Sequence, residues 1–286
     1  PPSAFPAPTP WKRPGPGLDA PPARGGHPPA EGPPSMDSKL RIGIVCHPTY
    51  GGSGVVASEL ALSLADRGHS VHLFSHEVPP RLARSPGPVQ MHRAQGIPYP
   101  LFHSTPHDLA ITSSILNVHR AEGLDILHAH YALPHAVSAF LARAAARADT
   151  GRPAPRMVTT LHGTDITLVG NDPSYAPLTQ FVISASDAAS AVSRWLAHET
   201  RERFCPEMSG CDIEVIPNFV DTDWFRPDVP RRECAQPRGV PLAVHVSNFR
   251  KVKRVPWLLR AFAKDYTLWL VRRGFGKYRT KDPTHP

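Results

Sequence analysis

The sequence predicts an α/β protein of Rossmann-like type, and three observations carry this prediction. Short apolar runs of strand length alternate with helix-length segments between residues 40 and 216. A glycine loop, Gly51-Gly-Ser-Gly54, separates the first strand-like run from the first helix-like segment. A further strand-like run begins near residue 241, after a stretch rich in proline and charge. Repeated βα alternation predicts a parallel sheet with helices on both faces, although it does not reveal the strand order.

Each predicted element follows from the local pattern. In chain order, the predicted strands are 40–46, 70–75, 89–92, 124–128, 157–161, 189–192, 213–216 and 241–247. The predicted helices are 55–67, 107–122, 134–147, 193–204 and 255–263. Gly68 suits the C-terminal end of the first helix, and Pro134 suits the first turn of the third. Residues 264–286 show little amphipathic order, so we predict no element there.

Composition divides the chain into four parts. Residues 1–35 hold 13 Pro and 5 Gly, and such a segment cannot bury enough apolar surface to offset its conformational entropy. We therefore expect a disordered leader at 1–35 and an N-terminal Rossmann-like domain at 36–225. Residues 226–263 read as a linker and the start of a second domain, and residues 264–286 as an atypical tail.

Charge and hydropathy narrow the classes of function. No run of about 20 apolar residues occurs, so we expect no membrane-spanning helix, and the leader lacks the apolar core of a secretory signal. The net charge of +8 admits an anionic partner. Phosphorylated small molecules and acidic membrane surfaces both stay open. Nucleic acid is the weakest of these partners because no basic run has interleaved aromatics.

Cysteine usage points to a reducing compartment. The sequence has four Cys and no Cys-x-x-Cys pair, so free thiols in the cytoplasm are expected. Cys46 ends an apolar run and is predicted to be a buried, small apolar residue.

Two loops could bind an anion. The glycine loop would let a backbone approach a ligand, and helix-start N–H groups attract anions. It could equally be a tight turn, and it matches neither the dinucleotide fingerprint nor the Walker A motif. In the second domain, four cations lie within Arg250–Arg254 and could bind a diphosphate, although a solvated loop explains them too.

Histidines form the other candidate site. His128, His130, His135 and His162 lie at or beyond predicted strand ends, where open α/β sheets bind ligands. Metal binding is one interpretation, but no His-Glu-x-x-His motif or suitably spaced carboxylate accompanies them. Hydrogen bonding near a substrate is favoured, and some of these histidines are expected to be structural.

Several motifs in this order resemble the retaining GT-B glycosyltransferases of family 4. The specific segments are His162-Gly-Thr-Asp-Ile-Thr167 and Ser247-Asn-Phe-Arg-Lys-Val-Lys-Arg254. Further support comes from segments 44–60, 97–100, 128–135 and 215–221. The resemblance covers about residues 39–263 and implies a complete N-terminal Rossmann-like domain with a truncated start of the C-terminal one.

The resemblance also implies a reaction. Family members place an acceptor in the N-terminal domain and a UDP-sugar in the C-terminal domain. The similarity is greatest to the branch of bacillithiol biosynthesis, which implies transfer of N-acetylglucosamine from UDP-N-acetylglucosamine to L-malate with retention. It implies no cofactor and no metal, because protein cations and helix N-termini can stabilise the leaving diphosphate. A homo-oligomer is compatible with it.

Site residues follow from the resemblance one at a time. His162 matches the active-site histidine beside the transferred sugar and is expected to orient and polarise. Ser53, Tyr99 and Thr160 match positions that hold the acceptor carboxylates.

The donor positions come from two loops. Gly51 and Gly52 match the loop near the donor phosphates. Lys253 matches the lysine that contacts the diphosphate, and Arg250 is the second cation.

One departure from the family affects the donor side. The family's E-x7-E motif is absent after Val255, where the chain has no glutamate at all. We therefore expect a truncated donor domain. Two alternatives stay open at this point: a family 4 enzyme with another acceptor, and a non-catalytic remnant that binds an acceptor.

Overall fold

The computed structural model describes ten stretches of the chain, within residues 38–272. They are residues 38–49, 51–84, 87–101, 103–148, 151–205, 211–223, 225–228, 242–247, 249–262 and 267–272. The predicted leader 1–35 lies outside these stretches, as do most of the linker and most of the tail 264–286.

Seven parallel strands form the main sheet, in agreement with the predicted fold class. They are β1 Arg41–Val45, β2 Ser70–Ser75, β3 Gln90–Arg93, β4 Ile126–His130, β5 Arg156–Leu161, β6 Ala188–Ala191 and β7 Ile213–Val215. Their order is β3-β2-β1-β4-β5-β6-β7. The chain direction across the sheet reverses between β1 and β4, and ligands of open α/β sheets bind at the carboxyl side of such a switch point.

Helices cover this sheet, and most were predicted. They are α1 Gly52–Asp66, α2 Pro80–Arg84, α3 His107–Glu122, α4 Val137–Ala148, α5 Ala176–Ala185 and α6 Arg194–Phe204. Helix α1 buries Ala57, Ala61 and Ala65, a stripe at i, i+4 spacing that faces the core. A side chain at Gly54 would collide with the His47 carbonyl oxygen, so the glycine lets α1 start against the preceding loop.

Helices α2 and α5 were not predicted. Helix α5 follows a turn-rich segment, Gly170–Pro173, and buries only Thr179, Val182 and Ile183. Its other apolar residues face outward, since Leu178 and Phe181 are exposed. A helix with so little buried apolar surface gives a weak periodic signal.

A second sheet contains two parallel strands, β8 Leu242–Ser247 and β9 Thr267–Arg272. Helix α7, Val255–Phe262, connects them, so they form one βαβ unit. The expectation that 264–286 has no regular element was wrong for β9. All six residues of β9 pair with β8, and this tertiary pairing defines the strand. The predicted domain division at 225/226 lies between the two sheets.

Two cysteines depart from the expected thiol state. Cys205 and Cys211 are joined by a disulfide, with Cα atoms 6.1 Å apart, which contradicts free thiols for this pair. Both lie in the connection between α6 and β7, six residues apart in the sequence. Cys46 is free and fully buried as predicted, and burial raises the pKa of its thiol to about 12. Cys234 lies outside the described residues.

Among the helices of the described stretches, none combines the length and apolar character that a membrane span requires.

Candidate functional site

Four histidines meet at the carboxyl edge of the main sheet, beside the switch point between β1 and β4. His47 follows β1, His128 and His130 belong to the end of β4, and His162 follows β5 directly. The ring centroids of His128 and His130 are 4.4 Å apart, and those of His130 and His162 are 5.2 Å apart. His135 joins the group because its ring lies 4.1 Å from that of His47. We call these five residues the histidine cluster.

Hydrogen bonds organise the cluster across three strands. His130 Nδ1 lies 3.1 Å from His162 Nε2. His128 Nε2 lies 2.7 Å from the hydroxyl of Thr160, and this hydroxyl lies 2.8 Å from that of Ser190 on β6. The polar side chains at the ends of β4, β5 and β6 therefore hold one another in place.

Asp165 fixes the main chain around His162. Its carboxylate is fully buried and accepts N–H bonds from His162, Gly163 and Ala132, at 3.1, 2.7 and 3.2 Å. Because Ala132 follows β4 and His162 follows β5, one carboxylate links the two loops. Burial raises the pKa of Asp165, and the main-chain N–H bonds oppose this shift. The motif that suggested the family contains Asp165, but the sequence did not indicate this role.

Burial keeps the cluster uncharged near neutral pH. It lowers the pKa of His47, His128 and His162 to about 4. The pKa of His130 and of His135 falls well below its ordinary value for the same reason, and neighbouring histidines lower it further. Neutral rings each present one N–H donor and one acceptor, which suits recognition of hydroxyl and carbonyl groups. Within the described stretches, no three or more His, Cys, Asp or Glu side chains are placed to hold a metal ion.

Tyr131 is a site residue that the sequence did not reveal. Its φ of +106° is a conformation that non-glycine residues rarely adopt, and such strain occurs often at functional sites. Its ring stacks on that of His162 with centroids 6.0 Å apart, and its hydroxyl bonds to that of Thr164. Burial raises the pKa of Tyr131 to about 12, and the negative charge of Asp165 contributes a smaller part of this rise. The positive charge of Arg250 lowers the same pKa.

The predicted glycine loop lies at the start of α1. Gly51 has an extended backbone and precedes the helix, whereas Gly52 has a φ of +30°. Ser53 is 8% exposed in the first turn of this helix. The loop therefore combines close backbone approach with the N-terminus of a 15-residue helix, a combination that can bind an anion.

The two other predicted acceptor residues differ in exposure. Thr160 is 8% exposed and touches the histidine cluster through His128. Tyr99 is 50% exposed in the loop between β3 and α3. The contacts of Thr160 are internal, so a ligand would meet a hydroxyl that already has two partners.

The two predicted donor cations lie on one turn after β8. Arg250 precedes the short 3-10 helix Lys251–Lys253, and the main-chain N–H of Lys253 donates to the Arg250 carbonyl at 2.8 Å. Both side chains are exposed. The charge of Arg250 lowers the pKa of Tyr131, whose ring stacks on that of His162.

A family model and a curated relative identify the family. The model of Glycosyltransferase Family 4 matches residues 50–224. N-acetyl-α-D-glucosaminyl L-malate synthase of Bacillus anthracis is 42% identical over 232 residues, which is 80% of this chain and 59% of the relative. The chain thus spans about three fifths of the length of that relative.

Solved glycosyltransferases share the fold. A glycosyltransferase from Rickettsia africae superposes with a TM-score of 0.56 at 19% identity, over 82% of this chain and 61% of its own. The sucrose-phosphate synthase from Thermosynechococcus elongatus gives a TM-score of 0.62 at 16% identity, over 84% of this chain and 64% of its own. At such identities the likeness shows the fold, and the described residues form a partial GT-B fold. Together with the family match, this shows that the chain belongs to glycosyltransferase family 4.

Proposed function

We propose that this protein transfers N-acetylglucosamine from UDP-N-acetylglucosamine to the hydroxyl of L-malate with retention, the first committed step of bacillithiol biosynthesis. The 42% identity to the malate synthase of Bacillus anthracis carries the choice of substrates. This chain spans about three fifths of the length of that relative, so the whole reaction is proposed for it by similarity. The main sheet and its histidine cluster supply the acceptor side of that reaction.

The proposed reaction breaks one bond and forms one. The bond between the sugar C1 and the β-phosphate oxygen breaks, and C1 bonds to the malate hydroxyl oxygen on the same face of the sugar. UDP leaves with the bonding electron pair, and the hydroxyl proton is released. Negative charge therefore grows on the diphosphate as the transition state forms, and fixed positive groups aimed there lower the barrier.

We propose that protein groups meet that charge and that no cofactor is required. The N–H groups at Gly51 and Gly52 begin α1, and a helix N-terminus attracts phosphate. Arg250 and Lys253 add two cations from the turn after β8. We propose that these groups take the part that a metal ion plays in other phosphate chemistry.

Malate requires a different environment, with donors aimed at two carboxylates. Ser53, Tyr99 and Thr160 supply hydroxyl groups, and the α1 N-terminus supplies N–H groups. His162, in the histidine cluster, is the group that orients the transferred sugar. We propose a cytoplasmic location for this reaction, without nucleic acid or membrane partners and with homo-oligomerisation allowed.

Calorimetry on this chain tests the acceptor assignment. L-malate should bind, whereas succinate, which lacks the hydroxyl group, should bind about 5- to 100-fold more weakly, since a lost hydrogen bond to an oriented site costs roughly 1–3 kcal/mol. Preferential binding of inositol phosphate would favour a family 4 enzyme with another acceptor. UDP release from UDP-N-acetylglucosamine is then measured with each acceptor, and malate binding without release would favour the non-catalytic alternative.

A further inference from the structure

Two neutral imidazole rings share one proton at the centre of the histidine cluster. His130 Nδ1 and His162 Nε2 are 3.1 Å apart, a hydrogen-bond distance. Because burial lowers the pKa of both rings, each carries a single N–H at neutral pH. One ring must therefore donate and the other accept.

Only two arrangements satisfy this contact. In the first, His130 donates from Nδ1 and leaves its own Nε2 as a lone pair, so that His162 carries its proton on Nδ1. In the second, His162 donates from Nε2 and keeps a lone pair on Nδ1, while His130 carries its proton on Nε2.

The surroundings of His130 Nε2 separate the two. His130 is 1% exposed, and its Nε2 has no hydrogen-bond partner in the described part of the chain. The second arrangement would bury an N–H without an acceptor, and orphaned buried N–H groups are rarer than under-satisfied acceptors. The first arrangement instead places the remaining N–H on the partly exposed ring of His162, where water or a ligand can accept it.

A second histidine pair in the same sheet shows the opposite case. His72 Nδ1 lies 3.0 Å from His92 Nε2, which is the same pairing of nitrogen atoms. Here the second ring nitrogen of the buried histidine, His72 Nε2, lies 3.5 Å from a Glu122 carboxylate oxygen and 3.5 Å from the Ser70 hydroxyl oxygen. A carboxylate can only accept, so these surroundings favour a proton on Nε2 of His72, which would then accept from His92 at its Nδ1. In each pair, the tautomer thus depends on whether the Nε2 atom of the buried ring has an acceptor beside it.

We propose that His130 is a positioning residue that fixes His162 as the Nδ1–H tautomer, so that His162 acts on its ligand as a hydrogen-bond donor. This inference rests on the proposed function only for the identity of that ligand, an oxygen atom of the sugar or of the acceptor. With Nδ1 protonated and the Nε2 lone pair already accepting, neither nitrogen of His162 can take the malate hydroxyl proton. His162 orients and polarises, and the proton leaves by another route.

Nitrogen NMR on the ligand-free chain reads the tautomer directly. The chain is labelled with 15N-histidine, and two-bond correlations at pH 7 distinguish protonated from bare ring nitrogens. His162 is assigned by the signals lost in His162→Gln. We expect its Nδ1 to be protonated and its Nε2 bare. The signals of His72 and His92, for which we expect Nε2 to be protonated in both rings, provide an internal comparison. A His162 protonated on Nε2 would overturn the proposal.

Two substitutions test the role of His130 itself. His130→Leu removes the donor, and the His162 signals should then change to the Nε2–H form or to a mixture. His130→Asn keeps an amide N–H near the position of Nδ1 and should restore the Nδ1–H signature. Retention of the pure Nδ1–H form in a folded His130→Leu chain would contradict the proposal. If the leucine variant does not fold, the wild-type and asparagine spectra still decide the question.

The proposed tautomer of His162 and the proposed function can be refuted independently. The spectra are recorded without substrate, so they stand even if malate does not bind. Conversely, malate binding by a chain whose His162 is protonated on Nε2 would keep the proposed function and remove the proposed role of His130.

Discussion

The hydroxyl of Thr160 and the Nε2 atom of His128 lie 2.7 Å apart, so neighbouring strands of the main sheet share a hydrogen bond at the site. The same hydroxyl lies 2.8 Å from that of Ser190 on the next strand. A threonine assigned to acceptor binding thus also holds a ring of the histidine cluster. Any substitution at Thr160 therefore affects both a ligand contact and the internal network.

Thr160→Val should weaken malate binding about tenfold or more and also lower the melting temperature. Valine keeps the shape but leaves His128 and Ser190 without their shared partner, and each lost hydrogen bond costs roughly 1 kcal/mol. Thr160→Ser keeps the hydroxyl and serves as the matched control. Calorimetry with L-malate and thermal denaturation measure the two effects. An unchanged malate affinity in the valine variant would remove Thr160 from the acceptor site.

Asp165→Ala should destabilise the fold by roughly 3 kcal/mol or more, because each buried main-chain N–H left without its acceptor costs about 1–3 kcal/mol. Three main-chain N–H groups would lose their acceptor, and the loops after β4 and β5 would lose their common link. Asp172→Ala is the matched control. It removes an exposed carboxylate that accepts one main-chain N–H from Ser174 at 2.9 Å. Urea unfolding compares the two variants, and equal losses would contradict the linking role of Asp165.

The helix and strand alternation was predictable because buried parallel strands read as short apolar runs between helix-length segments. The fourth strand was placed at 124–128, whereas β4 runs from Ile126 to His130. The prediction missed the last two residues, Ala129 and His130, which propensity does not assign to a strand. They belong to the strand because they pair with Thr159 and Thr160 of β5. A pattern read along one chain does not contain that pairing.

The sequence predicted which histidines lie at the candidate site, but it did not predict which of them contact one another. Histidines at strand ends point to the carboxyl edge of a sheet, which is where the histidine cluster lies. The contact between His130 and His162 depends on β4 lying next to β5, and the strand order could not be derived. The backbone conformation of Tyr131 has no sequence signal either, since tyrosine does not favour a positive φ.

Stability should fall as the pH drops from 6.5 toward 4. The buried histidines have a folded-state pKa below the unfolded value, so the unfolded chain binds more protons in this window. For His128, with a pKa lowered to about 4, the loss reaches about 3 kcal/mol at the acid end. Urea unfolding at pH 7, 6 and 5 gives the slope. His128→Asn should reduce the slope, whereas substitution of the exposed His198 by Gln should not. A pH-independent stability would contradict the burial of neutral histidines.

Lys253→Ala should weaken UDP binding about tenfold while malate affinity barely moves. The reason is electrostatic: Lys253 lies on the turn after β8, and a hydrogen bond from a charged group to a phosphate is worth roughly 1.5–3 kcal/mol. Arg250→Ala should weaken UDP binding similarly. It should also raise the pKa of Tyr131 further, because the charge of Arg250 lowers this pKa in the wild-type chain.

Lys251→Ala, in the same exposed turn, is the matched control for net charge. Calorimetry with UDP is carried out at low and high salt, since screening weakens exposed charge pairs. If all three alanine variants lose the same affinity, the effect is one of net charge alone, and the specific contact assigned to Lys253 is wrong.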